Sequence, residues 1–257
     1  MAFSKFLDAK RRDCKALVAE LRKDFAYVSV LGVDIKTTAI RVDRNTASIG
    51  PGFDTECGFV VKMHNGTVFF EYSLDDISGD IPALARKIAD SVACKSGNTI
   101  AESTLPDEPL TQDFAREHDL ADYTESQLLD FCKEQCETLL GKSEHLLNAM
   151  VNLQQLEVSK LFISQNRELS QNYAWVNGIL VAIYRENDKV VQAYESANYH
   201  RIGDVLAELP TKTDKLLHTA HCLTLAKPIE PGFYDVITDP SITGLIAHEA
   251  FGHGVEM

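Results

Sequence analysis

No apolar run in this 257-residue chain approaches the roughly 20 residues of a membrane-spanning helix, so no span is expected. The opening Met1-Ala2-Phe3-Ser4-Lys5 turns amphipathic and charged at once, with no secretory h-region. Cysteine is sparse. Six in a chain of this length do not make a disulfide framework, and a reducing cytoplasm is the expected setting. No basic stripe, zinc-finger spacing or aromatic–basic interleaving occurs. The formal net charge of -13 disfavours nucleic acid and anionic membranes as partners. There is no G-x-G-x-x-G and no P-loop, so nucleotide binding lacks sequence support.

What is present is an ordinary globular composition, 45% apolar and 25% charged, long enough for one large domain or two small ones. Apolar positions at Phe6, Leu7, Cys14, Leu17, Val18 and Leu21 predict an amphipathic helix within Phe3–Phe25. From Ala26 the pattern alternates, predicting strands at Ala26–Val33, Thr37–Val42, Thr46–Ile49, Glu56–His64 and Thr67–Tyr72, with Asn65-Gly66 as a hairpin turn. Ile81–Ala93 returns to helical spacing. Lys95–Asp122 is acidic and aperiodic and is expected as a long loop. Thr124 and Gln127 form a capping box, with Tyr123 and Leu128 as a staple, for a helix ending near Gly141. Strands follow at Leu146–Gln165 (expected to be broken), Tyr173–Arg185 and Lys189–Tyr199, with Asn187-Asp188 as the turn between the last two. Helices then occupy Ile202–Leu209 and Asp214–Ala226.

This order predicts an α+β fold, with antiparallel sheets in two layers flanked by helices. Residues 1–122, including the acidic loop 95–122, form one expected region and 123–257 the second. Cys132 and Cys136 stand at i and i+4 but lack a second ligand pair nearby, so they read as a buried helix face. His218, His221 and Cys222 read as packing or solvated positions on an amphipathic helix.

The chemistry concentrates at the end, in His248-Glu249-Ala250-Phe251-Gly252-His253-Gly254-Val255-Glu256-Met257. Two imidazoles start a zinc site, and a glutamate beside the first is the usual base. The zincin pattern is H-E-x-x-H; here one residue more separates the histidines. On an ideal helix, i and i+5 lie roughly 140° apart, so a shared metal requires a π-bulge or a break. Gly252 and Gly254 supply backbone freedom for it. Glu256 is the nearest third donor. Upstream, Pro231-Gly232 leads into an apolar strand at Phe233–Thr238, then Asp239-Pro240 opens the helix that delivers His248 and Glu249.

That strand, helix and H-E-A-x-G-H-x-x-E run, matched at His248, Glu249, Ala250, Gly252, His253 and Glu256, resembles the TldD/PmbA metallopeptidases, the modulator of DNA gyrase family. The resemblance is specific over the last thirty residues or so and extends more loosely to Glu56–Val61 and Ala220–Leu225. It implies a TldD-like catalytic subunit. His248 and His253 would hold Zn²⁺, and Glu249 would take a proton from the attacking water and return it to the leaving amine. The third ligand would be a cysteine in a C-terminal half downstream of Met257. The chain is therefore expected to be the N-terminal portion of a longer enzyme, with little zinc affinity of its own. The implied substrates are unfolded or modified peptides, and the implied partner is a family member in a homo- or heterodimer. One partner type in that family lacks the motif, so a non-catalytic scaffold role is the alternative.

Overall fold

Ser4 opens the first helix: its Oγ accepts from the Leu7 N–H at 3.2 Å, and α1 (Lys5–Leu21) follows with Leu7, Cys14, Leu17, Val18 and Leu21 on its buried stripe. The computed structural model describes residues 3–93, 108–186 and 188–255. After α1 come β1 (Tyr27–Asp43), β2 (Ala47–Pro51), β3 (Glu56–His64), β4 (Phe69–Leu74), α2 (Ile81–Ala93), β5 (Leu110–Ala115) and α3 (Glu125–Gly141). Then follow β6 (Leu146–Ser164), β7 (Arg167–Glu186), β8 (Lys189–Tyr199), α4 (Ile202–Glu208), α5 (Thr213–Leu225) and α6 (Pro240–Ala247).

The α+β reading holds, but the two expected sheet layers are one. Eight strands form a single sheet in the order β4-β3-β1-β6-β7-β5, with β2 also on β1 and β8 also on β7. Every pairing is antiparallel except β5 with β7. Two expected strands fuse into β1, because Asp34, Ile35 and Lys36 keep their partners on β6. The expected break in β6 is only a register shift between Leu146 and Asn148. Asn65-Gly66 makes the turn between β3 and β4, where Gly66 takes φ 97°, open to glycine at little cost. In the other hairpin Asp188 has φ 61°, while Asn187 lies outside the described residues.

The acidic segment expected as loop contains structure where it is described. Leu110–Ala115 pairs parallel with Arg167–Asn172, and a 3₁₀ turn covers Leu120–Asp122. Residues 94–107 lie outside the described residues.

Two cores sit on the same face of the sheet, since alternate residues of a strand share a face. One packs α1 and α2 against Val28 and Val30 of β1, Val61 and Met63 of β3, and Leu161 and Ile163 of β6. The other packs α3, α4 and α5 against Ile40 and Val42 of β1, Val151 and Leu153 of β6, and Leu180 and Ala182 of β7. The Thr124–Gln127 capping box forms as expected, with Leu128 buried and Tyr123 packed against the same core. Cys132 and Cys136 are core residues: burial pushes the Cys132 thiol up to about 12, and the Cys136 thiol donates to the Ala149 carbonyl at 3.4 Å.

By contacts the chain divides into a large unit, Met1–Thr224, and a small one, Leu225–Met257, which carries the His/Glu motif. Among the described residues, no helix is long and apolar enough to cross a membrane.

Candidate metal centre

The motif helix begins where a local signal places it. Asp239 caps α6, its Oδ1 accepting from the Ile242 N–H at 2.8 Å, and Pro240 occupies the first turn, where a missing N–H costs nothing. The strand expected just before it does not form: residues 232–239 have no regular structure, because an extended segment without a neighbour has no ladder. The α-helix stops at Ala247, so His248 and Glu249 lie beyond it.

They lie in a π-helical turn, His248–Gly252. The His253 N–H donates to the His248 carbonyl, an i+5 bond in place of i+4. That single widened turn brings both histidines to one side. Their ring centroids are 4.7 Å apart and nearly perpendicular, at 74°. The Glu249 carboxylate stands 3.8 Å from His253 Nε2. Each of the three offers one ligand atom, and these atoms lie within 4.8 Å of one another. Neither Gly252 nor Gly254 takes a positive φ, so the distortion is the π turn itself. Nor is Gly252 needed for space: a Cβ there would make only ordinary contact with the His248 ring, 3.6 Å from Nδ1.

Nitrogen donors suit zinc. Two nitrogens on one tetrahedral zinc stand about 3.4 Å apart at ordinary bond lengths, and the ligand atoms here lie within 4.8 Å on exposed side chains that would have to rotate only a little to hold one ion. The site thus fits two ligands of a zinc ion and an adjoining carboxylate. Glu256, the third donor nearest in sequence, lies outside the described residues. Among the described residues no other group of three metal-capable side chains exists. His218 meets Cys222 at 3.6 Å and His221 meets Glu186 at 2.6 Å, as two separate pairs.

No family model matches the sequence, and no curated protein sequence does. Solved structures do match. A proposed modulator of DNA gyrase from Bacteroides thetaiotaomicron superposes with a TM-score of 0.75 at 14% identity, over 95% of this chain and 57% of that one. A second, from Thermotoga maritima, gives 0.60 at 13%, over 89% and 50%. TldE from Thermococcus kodakarensis gives 0.53 at 9%, over 81% and 46%. The fold is that of the TldD/PmbA family. The chain spans about half the length of these TldD/PmbA-type structures.

One feature of the sheet was not expected from the sequence. Trp175, the only tryptophan, is 45% exposed on β7 and lines a cleft with side-chain amides. A lone exposed indole at an alternating strand position was the available signal.

Proposed function

We propose that this chain carries the metal-binding and general-base residues of a zinc-dependent peptidase acting on unfolded or modified peptides. The π turn supports this most, because a regular helix would turn the two histidines apart and this one gathers them beside Glu249. His248 and His253 would hold the ion, two of the three protein donors a catalytic zinc usually takes. When bound, zinc supplies Lewis acidity toward a carbonyl and toward water. Glu249 accepts the proton of the attacking water and passes it to the leaving amine, a general-base role worth about 10²–10⁴-fold in rate. The shared fold with TldE and the gyrase modulators agrees with this reading.

In the intact protein we expect about one Zn²⁺ per active subunit. His248→Ala or His253→Ala loses the metal and peptide cleavage together, whereas Glu249→Gln keeps the metal and loses turnover. Metal analysis beside a peptide-cleavage assay separates these outcomes, and full zinc content in an active double-histidine variant would end the reading. The alternative is a non-catalytic subunit of a dimer, in which Glu249→Gln changes nothing. A glutamate adjoining the metal-capable pair favours the catalytic role.

A further inference from the structure

The face of the sheet opposite the helices carries a cleft of about 400 Å³ on β6, β7 and β8, lined by Asp54, Gln154, Leu156, Trp175, Asn177 and Asn198. Its size is that of a small-ligand site. Gln154 is the register partner of Asn177, and Asn177 of Asn198, so three side-chain amides form a row across three neighbouring strands. At about 4.8 Å per strand the row spans roughly 10 Å, the length of about three residues of extended peptide. Each amide presents both a donor and an acceptor, the pair that a peptide bond complements. Gln154 is oriented by Asp54, donating to its Oδ2 at 3.2 Å. Asn177 Oδ1 is buried with no hydrogen-bond partner, an acceptor the fold leaves unsatisfied.

Trp175 precedes Asn177 by two residues and so shares its face, beside the amide row. One side of the indole is backed by His200, with ring centroids 3.9 Å apart, and His200 Nδ1 donates to the Ala174 carbonyl at 2.7 Å. The exposed ring surface therefore faces away from His200. An indole face attracts cations, and the only charged side chain lining the cleft is the carboxylate of Asp54. Next to Asp54 the fold already makes such a contact, with the Arg41 guanidinium 4.9 Å from the centre of the Phe53 ring.

We propose that this cleft docks an extended peptide segment carrying a basic side chain. The main chain lies along Gln154, Asn177 and Asn198, and a Lys or Arg side chain lies over Trp175 toward Asp54. As a statement about substrate choice this rests on the peptidase reading. The binding itself does not.

Because Trp175 is the only tryptophan, emission excited at the red edge of the absorption band, where the eight tyrosines absorb little, reports on this cleft. The chain is titrated with capped Ala-Ala-Arg-Ala-Ala and with the same peptide bearing Glu or Gln in place of Arg. A saturable emission change with the Arg peptide is expected, at least tenfold tighter than with the Glu peptide. Asp54→Asn and Asn198→Ala should each weaken it severalfold, with the far-ultraviolet circular dichroism unchanged. Calorimetry on Trp175→Ala, which has no tryptophan emission, should give at least a tenfold loss. No saturable change, equal affinity for all three peptides, or a response to a neutral disaccharide in their place would overturn the proposal. The titration reads binding without cleavage, so it can fail while zinc binding at His248 and His253 stands, and the reverse.

Discussion

Asp119 is a buried carboxylate, 6% exposed, whose work is local and structural. Its Oδ1 accepts from the Ile202 N–H at 2.6 Å and its Oδ2 from the Gly203 N–H at 3.0 Å, while Arg201 Nε lies 3.6 Å away. These are amides that the start of α4 leaves without partners inside the helix. Asp119→Ala would strand the buried Ile202 amide and expose the part-buried Gly203 amide without its partner, and we expect a loss of about 1–3 kcal/mol, read from urea denaturation. Asp119→Asn should recover part of it, since an amide oxygen still accepts. No motif betrays this contact, because the partner lies 83 residues away. The Thr124–Gln127 box was legible for the opposite reason, donor and acceptor being three residues apart. The same holds for His248, Glu249 and His253. Their types and spacing already demanded a distorted helix, and the π turn is that distortion.

At the scale of elements, contact between layers decides what periodicity cannot. Gly178 of β7 faces α4 so closely that an added Cβ would stand 2.6 Å from Val205 Cγ1 and 3.0 Å from Leu209. Gly178→Ala should cost about 1–3 kcal/mol by overpacking, whereas Gly50→Ala, with nothing within 4 Å, serves as the control in the same thermal melts. The strand β5 was unreadable because it is short and wholly exposed, with its apolar Leu110, Phe114 and Ala115 in no alternating pattern; it forms because β7 offers it an edge at Arg167–Asn172. The apolar segment before Asp239 shows the converse, strand-like in composition and without a ladder. Ion pairing also fastens elements together. Glu168 of β7 is held below the ordinary glutamate value of 4.5, chiefly by the hydrogen bond from Lys15 of α1 and further by Arg11, against the opposing cost of burial. A carboxyl lowered in the folded state stabilises the fold above its unfolded value and loses that contribution as pH falls through the folded one. Urea midpoints of the parent and Glu168→Gln should therefore differ at pH 7 and converge in acid, below that range. A gap that persists there would assign the effect to packing instead.

For the molecule as a whole, stability and chemistry occupy different stretches of chain. Both hydrophobic cores are built from residues no later than Ala220, and α6 and the π turn contribute no buried residue. The large unit therefore holds the apolar burial that drives folding, and the small unit holds the His/Glu group without a core of its own. The order of helical and alternating segments pointed to an α+β chain, but not to one sheet shared by both halves, since β1 and β6 are 15 paired positions of non-local contact that no local pattern announces. A chain ending at Thr224 should accordingly fold, and its melting temperature should lie within about 2–4 °C of the parent, the equivalent of about 1 kcal/mol at this size. Limited proteolysis of the longer chain should cut first within residues 226–239, where backbone without regular structure joins Leu225 to the capped start of α6. The expected fragment ends close to Ala226 and resists further digestion. An unfolded 1–224 chain, or first cleavage inside β6 or β7, would mean that the last thirty-three residues (257 less 224) stabilise the sheet after all.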